Sequence, residues 1–210
     1  MIDLYTWSTP NGRKISILLE ELKIEYKVYP INIMKNEQFN ENFLKISPNN
    51  KIPAIFDHEN NISLMESGAI MVYLSEKYKK FLPDTFEQRY KCIEWLNFQT
   101  ASQGPMLGQA HHFLKFSKGK SEYSEDRYHK EAQRLYNVMN IQLKKSKYLA
   151  GDNYTLADIA AWPWVARFEW HSVNLKNFEY VANWYTNISN RQAVQKGYDI
   201  PSIGASIPKI

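Results

Sequence analysis

Every strand-like pattern in this 210-residue chain lies ahead of about Phe81, and none follows it. No other feature constrains the fold as strongly: one part must carry a small sheet, and the remainder must be helical. Ile2, Leu4 and Thr6 alternate with Asp3, Tyr5 and Trp7, which suits a strand. From Lys14 the period becomes helical, with Ile15, Leu18, Leu19 and Leu22 on one face and the polar Lys14, Ser16 and Glu20 on others. "EYKVYPIN" reads as a second strand and "IMKNEQFNENFLKISPNN" as a polar connection with one helical turn. "KIPAIFD" and "ISLM" flank the turn-like "HENN" as a hairpin, and "ESGAIMVYLSEKY" reads as a helix.

The order is β-α-β, connection, β-β-α, and a right-handed crossover makes the first two strands parallel. That is a thioredoxin-like layout. The chain therefore reads as an α/β thioredoxin-like N-terminal domain over residues 1–82, followed by an all-α helical domain over residues 86–210. The helical part is interrupted at "SQGPMLG", "SKGKSEYS" and "KYLAGDN". Within "NYTLADIAAWPWV", Thr155 and Asp158 form a capping-box variant, with Tyr154 and Ile159 placed for the accompanying hydrophobic staple. This is folding machinery. The tail "YDIPSIGASIPKI" reads as an irregular segment over the surface.

Charge and cysteine content exclude several function classes. The net charge of +4 is spread over interleaved acids and bases, as in "SEDRYHKEAQR", so no basic stripe points to nucleic acid. No run approaches the ~18 apolar residues of a membrane span, and "MIDLYTW" begins as a strand without a cationic leader, so a soluble cytoplasmic protein is expected. Cys92 is the only cysteine, which rules out an intramolecular disulfide, a CxxC pair and a Cys-rich metal site. Its helical spacing with Trp95, Leu96 and Gln99 assigns it to packing. In "GPMLGQAHHF", Gly104 and Gly108 stack on one helix face, while His111 and His112 diverge by ~100° and are badly placed to share a metal. No metal is expected; the segment reads as a wall of the substrate pocket, with plain helix packing as the alternative.

Three stretches carry candidate binding chemistry. "WSTPNGRKISI" gathers a hydroxyl, a proline, an amide and a glycine where strand turns into helix. Ile52-Pro53 stands at a strand start, where a cis bond would turn the Ile52 backbone groups outward to pair with a peptide-like ligand. Glu66-Ser67-Gly68 opens the next helix, with Ser67 read as its cap, the exposed N–H groups as an anion site, and Glu66 as a partner for an ammonium. Carboxylate and ammonium together are what the γ-glutamyl end of glutathione presents. The Ile52 backbone suits its cysteinyl amide, and the first stretch then faces the thiol.

With those motifs and the "TLADIAAWPWV" box, nearly the whole chain resembles the glutathione transferase superfamily. "TPNGRK", "SPNNKIPAI" and "GPMLGQAHHF" resemble the bacterial nu-class, the glutathione-dependent disulfide-bond reductases, which are also similar to a glutathione-transferase-like fungal nitrogen regulator. The resemblance implies that Asn11, Gln38, Ile52, Glu66, Ser67 and Arg127 contact glutathione and that the Thr9 hydroxyl lies near its sulfur. It also implies a homodimer, and small disulfides or electrophiles as second substrates. Lys51 is added as a partner for the glycyl carboxylate. The hairpin turn "DHENNIS" is shorter than in relatives with insertions there.

The reactive species is a thiolate. Lowering a thiol pKa from ~8.5 by about two units needs roughly 2.7 kcal/mol. A helix dipole contributes ~0.3–1 kcal/mol and a hydrogen bond to a charged acceptor ~1.5–3 kcal/mol. Thr9 and Asn11, with the backbone N–H groups of Asn11 and Gly12, are the catalytic candidates for that task. Thr9 stands before Pro10, where a glutaredoxin-like protein would hold its own cysteine. Glutathione must therefore attack the disulfide itself, and a second glutathione must resolve the mixed disulfide. The expected activity is a glutathione-dependent disulfide oxidoreductase; the alternatives are a conjugating transferase and a non-catalytic glutathione-binding regulator. The fungal regulator carries a long Asn-rich segment, whereas this chain begins at its first strand, which weighs toward the enzyme.

Overall fold

In the computed structural model, which describes residues 1–210, the first strand, β1 (Ile2–Thr6), is an interior one. It pairs in parallel with β2 (Tyr26–Pro30) and antiparallel with β3 (Ala54–Asp57). β3 pairs antiparallel with β4 (Ile62–Met65), giving a mixed sheet of order β2-β1-β3-β4. The crossover helix is α1 (Pro10–Leu22), so the parallel pair and the hairpin form as the patterning predicts. The polar connection is more structured than expected. Two 3₁₀ turns, Ile33–Lys35 and Glu37–Phe39, precede the short helix α2 (Glu41–Leu44), and Asn32 and Asn40 cap the N–H groups of Met34 and Asn42. α3 (Ser67–Tyr78) follows the hairpin.

The helices beyond it are α4 (Phe86–Phe98), α5 (Gly104–His111), α6 (Glu122–Leu143), α7 (Leu156–Val165), α8 (Glu179–Ser189) and α9 (Gln192–Tyr198). The chain divides into two compact units, residues 1–80 with 190–207, and residues 81–189 with 208–210. Residues 190–207 thus depart from the sequence-based domain 86–210. The reason is α9, which packs on α1. Arg13 Nε donates to the Tyr198 carbonyl at 2.8 Å with its guanidinium 3.6 Å over the Tyr198 ring, and Ser16 Oγ donates to the Gly197 carbonyl at 2.6 Å. A Cβ on Gly197 would come within 2.7 Å of the Ile17 backbone, so only glycine permits the approach. Arg191 adds a forked ion pair to Glu21.

With α9 on one side and α3 on another, α1 is enclosed: Arg13, Lys14 and Ser16 are all buried. The helical period alone places Lys14 and Ser16 on outer faces, because it counts one apolar stripe and cannot register α3 covering Lys14 or α9, nearly two hundred residues away, covering Ser16.

In the second unit the expected break at "SQGPMLG" is a π-helical turn, Gln99–Gln103, that carries α4 into α5. Gly104 N–H bonds the Gln99 carbonyl five residues back, and the shifted register admits Pro105, which has no N–H to give. The Thr155–Asp158 capping box is present. Asp158 is fully buried and accepts from Leu149 N–H (3.0 Å), Thr155 N–H (3.0 Å), Thr155 Oγ1 (3.2 Å) and Trp184 Nε1 (2.9 Å). Burial raises its pKa to about 6 against the opposing pull of those donors. No helix is long and apolar enough to cross a membrane.

Asp158→Ala leaves three buried N–H donors without an acceptor. We expect a loss of stability on the order of 3 kcal/mol, read from urea unfolding of the intact protein. An unchanged midpoint at an unchanged slope contradicts this role.

Candidate functional site

Thr9 is the N-cap of α1, with extended backbone (φ −117°, ψ 161°), and its Oγ1 accepts the Gly12 N–H at 3.2 Å. The cap occupies a lone pair and leaves the hydroxyl proton to point at another acceptor. It also removes one expected donor, because the Gly12 N–H serves Thr9 and not a ligand. Gly12 is held to glycine by space: an added Cβ would lie 2.5 Å from Thr6 Oγ1.

The start of α3 also differs from expectation. Glu66, not Ser67, is the N-cap residue, at φ 67° and ψ 111° and without a side-chain capping bond. A non-glycine residue in such a conformation costs about 1–3 kcal/mol and persists where its surroundings fix it, which singles this position out. Ser67 is the first residue of the helix, and its hydroxyl accepts from Lys14 Nζ at 3.2 Å. Lys14 is 2% exposed, and burial lowers its pKa to about 7, opposed by the nearby Glu66 carboxylate. Nothing in the sequence marks Lys14, since the helical period sends it outward.

Asn11, Lys51, Ile52, Glu66 and Ser67 converge on one cleft, where Ser47, Pro53 and Met65 complete the lining. The Ile52-Pro53 bond is cis. Ser47, fully buried, donates to the Lys51 carbonyl at 2.8 Å and so fixes the loop that delivers Lys51 and Ile52; the sequence reading passed over it. Glu66 is exposed and accepts from Asn49 Nδ2 at 3.2 Å. The polar lining is one acid, one lysine, a side-chain amide, hydroxyls and the edge of a backbone. Such a set suits a zwitterionic peptide.

Thr9 is not part of the cleft lining, although it caps the helix whose Asn11 is. Gln38 is not part of the lining either; it lies in the 3₁₀ turn Glu37–Phe39 with its Oε1 buried and without a hydrogen-bond partner. Arg127 is in the other unit, exposed on α6 beside a groove lined by Met106, Tyr123, Tyr128 and Arg134.

His111 is not a pocket wall. It is buried, stacked 4.5 Å from His171 and 5.4 Å from Trp164, and burial lowers its pKa to about 3. Added Cβ atoms on Gly104 and Gly108 would both meet Trp164 at 3.5 Å, so these glycines pack α5 against α7, while Met106 of the same segment lines the groove beside Arg127. Cys92 is fully buried, with its thiol pKa raised by burial. No group of three or more His, Cys, Asp or Glu side chains is placed to hold a metal ion.

The chain belongs to the glutathione S-transferase family of enzymes: the family models of the glutathione S-transferase N-terminal and C-terminal domains match residues 1–76 and 104–192. Among its relatives is the disulfide-bond oxidoreductase YfcG of Escherichia coli K12, 45% identical over 92% of each chain. A crystal structure of a glutathione transferase from Pseudomonas putida, with one glutathione disulfide bound per subunit, superposes with a TM-score of 0.91 at 37% identity, covering 96% of this chain and 92% of that one. A family member from Pseudomonas fluorescens with two glutathiones bound gives a TM-score of 0.89 at 36% identity, covering 94% and 92%.

Proposed function

We propose that the protein reduces disulfides with glutathione, using the glutathione thiolate as the nucleophile. The observation that carries this reading is a pairing of opposites. The one protein sulfur, Cys92, is buried with a raised pKa, while Thr9 caps α1 in a way that frees its hydroxyl proton for an external acceptor. The relatives that are named disulfide-bond oxidoreductases or hold glutathione disulfide support the same reading.

The cleft residues take up the peptide in a definite sense. Glu66 receives the γ-glutamyl ammonium, and Ser67 with the first turn of α3 receives its carboxylate. The Ile52 backbone pairs with the cysteinyl unit, Gln38 accepts a ligand N–H, and Lys51 meets the glycyl carboxylate. Thr9 and the Asn11 amide donate to the sulfur. The first thiolate attacks one sulfur of the disulfide, forming a mixed disulfide and expelling one substrate thiolate. A second glutathione thiolate attacks the glutathione sulfur of that species and expels the other. Two glutathiones and one disulfide become glutathione disulfide and two thiols. We place the protein in the nu-class and in the cytoplasm, where a single reduced cysteine is the norm.

We also propose a homodimer. Phe86 is 80% and Tyr90 56% exposed, and their rings pair at 4.8 Å on one face of α4, an aromatic patch suited to a second copy. Light scattering at micromolar concentration checks this, and a monomer contradicts it.

Turnover of a small alkyl disulfide, set against conjugation of a chloronitroarene, tests the activity. We expect the disulfide to be the better substrate. Thr9→Ala or Asn11→Ala should slow its reduction about ten- to hundredfold, at ~1.4 kcal/mol per decade, and Cys92→Ser should leave it nearly intact. Loss of activity in Cys92→Ser alone contradicts the mechanism, and preference for the arene replaces it with conjugation.

A further inference from the structure

Lys14 is a lysine that folding alone does not justify. It is 2% exposed, and its one hydrogen bond runs from Nζ to Ser67 Oγ at 3.2 Å. An ammonium out of water is costly unless it is paired, and the usual partner is a carboxylate. The nearest acid, Glu66, turns its exposed carboxylate to Asn49 and forms no ion pair with it. Other charges on the packed elements are committed elsewhere. Asp3 of β1 meets His58, while Arg191 and Lys196 meet Glu21 and Glu20. Arg13 on α1 points to Ser8 and Tyr198, and Lys77 on α3 pairs with Asp57 and Glu59. Glu66 is the one charge that acts on Lys14.

Ser67 faces both ways. Its oxygen receives the Lys14 N–H, and the residue lines the cleft. A hydroxyl that accepts on one side is left to donate on the other. We propose that Lys14 is a positioning residue for the substrate carboxylate, fixing Ser67 as a donor into the cleft and supplying the positive charge that the anion completes. This rests on the reading that glutathione occupies the cleft. It explains why a lysine is kept where an apolar residue would pack at less cost: the missing counter-charge arrives with the ligand.

The test is calorimetric, with two probes that lack a thiol, so that thiol ionisation does not enter. One is S-methylglutathione; the other is its analogue with 4-aminobutanoyl in place of γ-glutamyl, which keeps the amine and lacks the α-carboxylate. The wild-type protein should bind the first at least about tenfold more tightly. In Lys14→Met that preference should shrink to about threefold or less, with the melting temperature kept or raised because a buried polar group with a single hydrogen bond has been removed.

Proton uptake supplies a second readout. With a free-state pKa of about 7, Lys14 is mostly neutral at about pH 7.5. A bound anion favours the ammonium, so binding should draw in a fraction of a proton, seen as heats that vary with buffer ionisation enthalpy. Lys14→Met should abolish the uptake. Should that variant fail to fold, Ser67→Ala with Lys14 retained should lose the same preference. Full preference in either folded variant overturns the proposal. Failure of the wild-type protein to bind either peptide at millimolar concentration overturns the glutathione reading itself, and the proposal with it.

Discussion

The enclosure of α1 is the constraint on which the first unit depends. A helix that begins at the candidate site is covered by α3 and by α9, and its three buried polar residues each tie it to something specific. Arg13 reaches Tyr198 and Ser8, Ser16 reaches Gly197, and Lys14 reaches Ser67. These bonds leave α1 little freedom to slide or rotate. Its N-terminus, with Thr9 and Asn11, is therefore held in one place relative to the start of α3, with Glu66 and Ser67. Donors fixed before the ligand arrives need no reorganisation when charge develops on sulfur, which is where preorganised dipoles are most effective.

Two unusual features of this unit lie at or against the cleft. Glu66, in the lining, holds a positive φ without being glycine, and Lys14, behind Ser67, is a buried amine without a carboxylate partner. Both cost stability, and both stand where the proposed zwitterionic peptide would bind. In the helical unit two buried titratable groups are enclosed by the fold itself. Its buried acid, Asp158, is surrounded by four donors, and its buried imidazole, His111, is held neutral in a stack of rings. Those groups stabilise their own surroundings.

Much of this was legible in the sequence, and the rest was hidden for identifiable reasons. Strand alternation, the "HENN" turn and the Thr155–Asp158 box are local signals, and the elements they predict are present. That Asn11, Lys51, Ile52, Glu66 and Ser67 line one cleft was readable from the chemistry of the ligand proposed for them. Lys14 and the seat of α9 were not, since the first depends on a contact with Ser67, 53 positions away, and the second on contacts across more than 180 positions. Ser67 was misread as a cap because helix-start residues prefer that position, whereas here a strained glutamate occupies it. The π-helical turn before Pro105 looked like a break because proline and glycine usually end helices, and a register shift of one residue leaves no mark in composition.

The central claim is that Thr9 and Asn11 hold a thiolate that belongs to glutathione. Titration of the ultraviolet absorbance of glutathione bound to the intact protein tests it most directly. The account predicts that the bound thiol ionises about two units below the ~8.5 of a free thiol, the shift that a helix dipole and one or two donors can produce. A bound glutathione whose thiol titrates at its free value would contradict it.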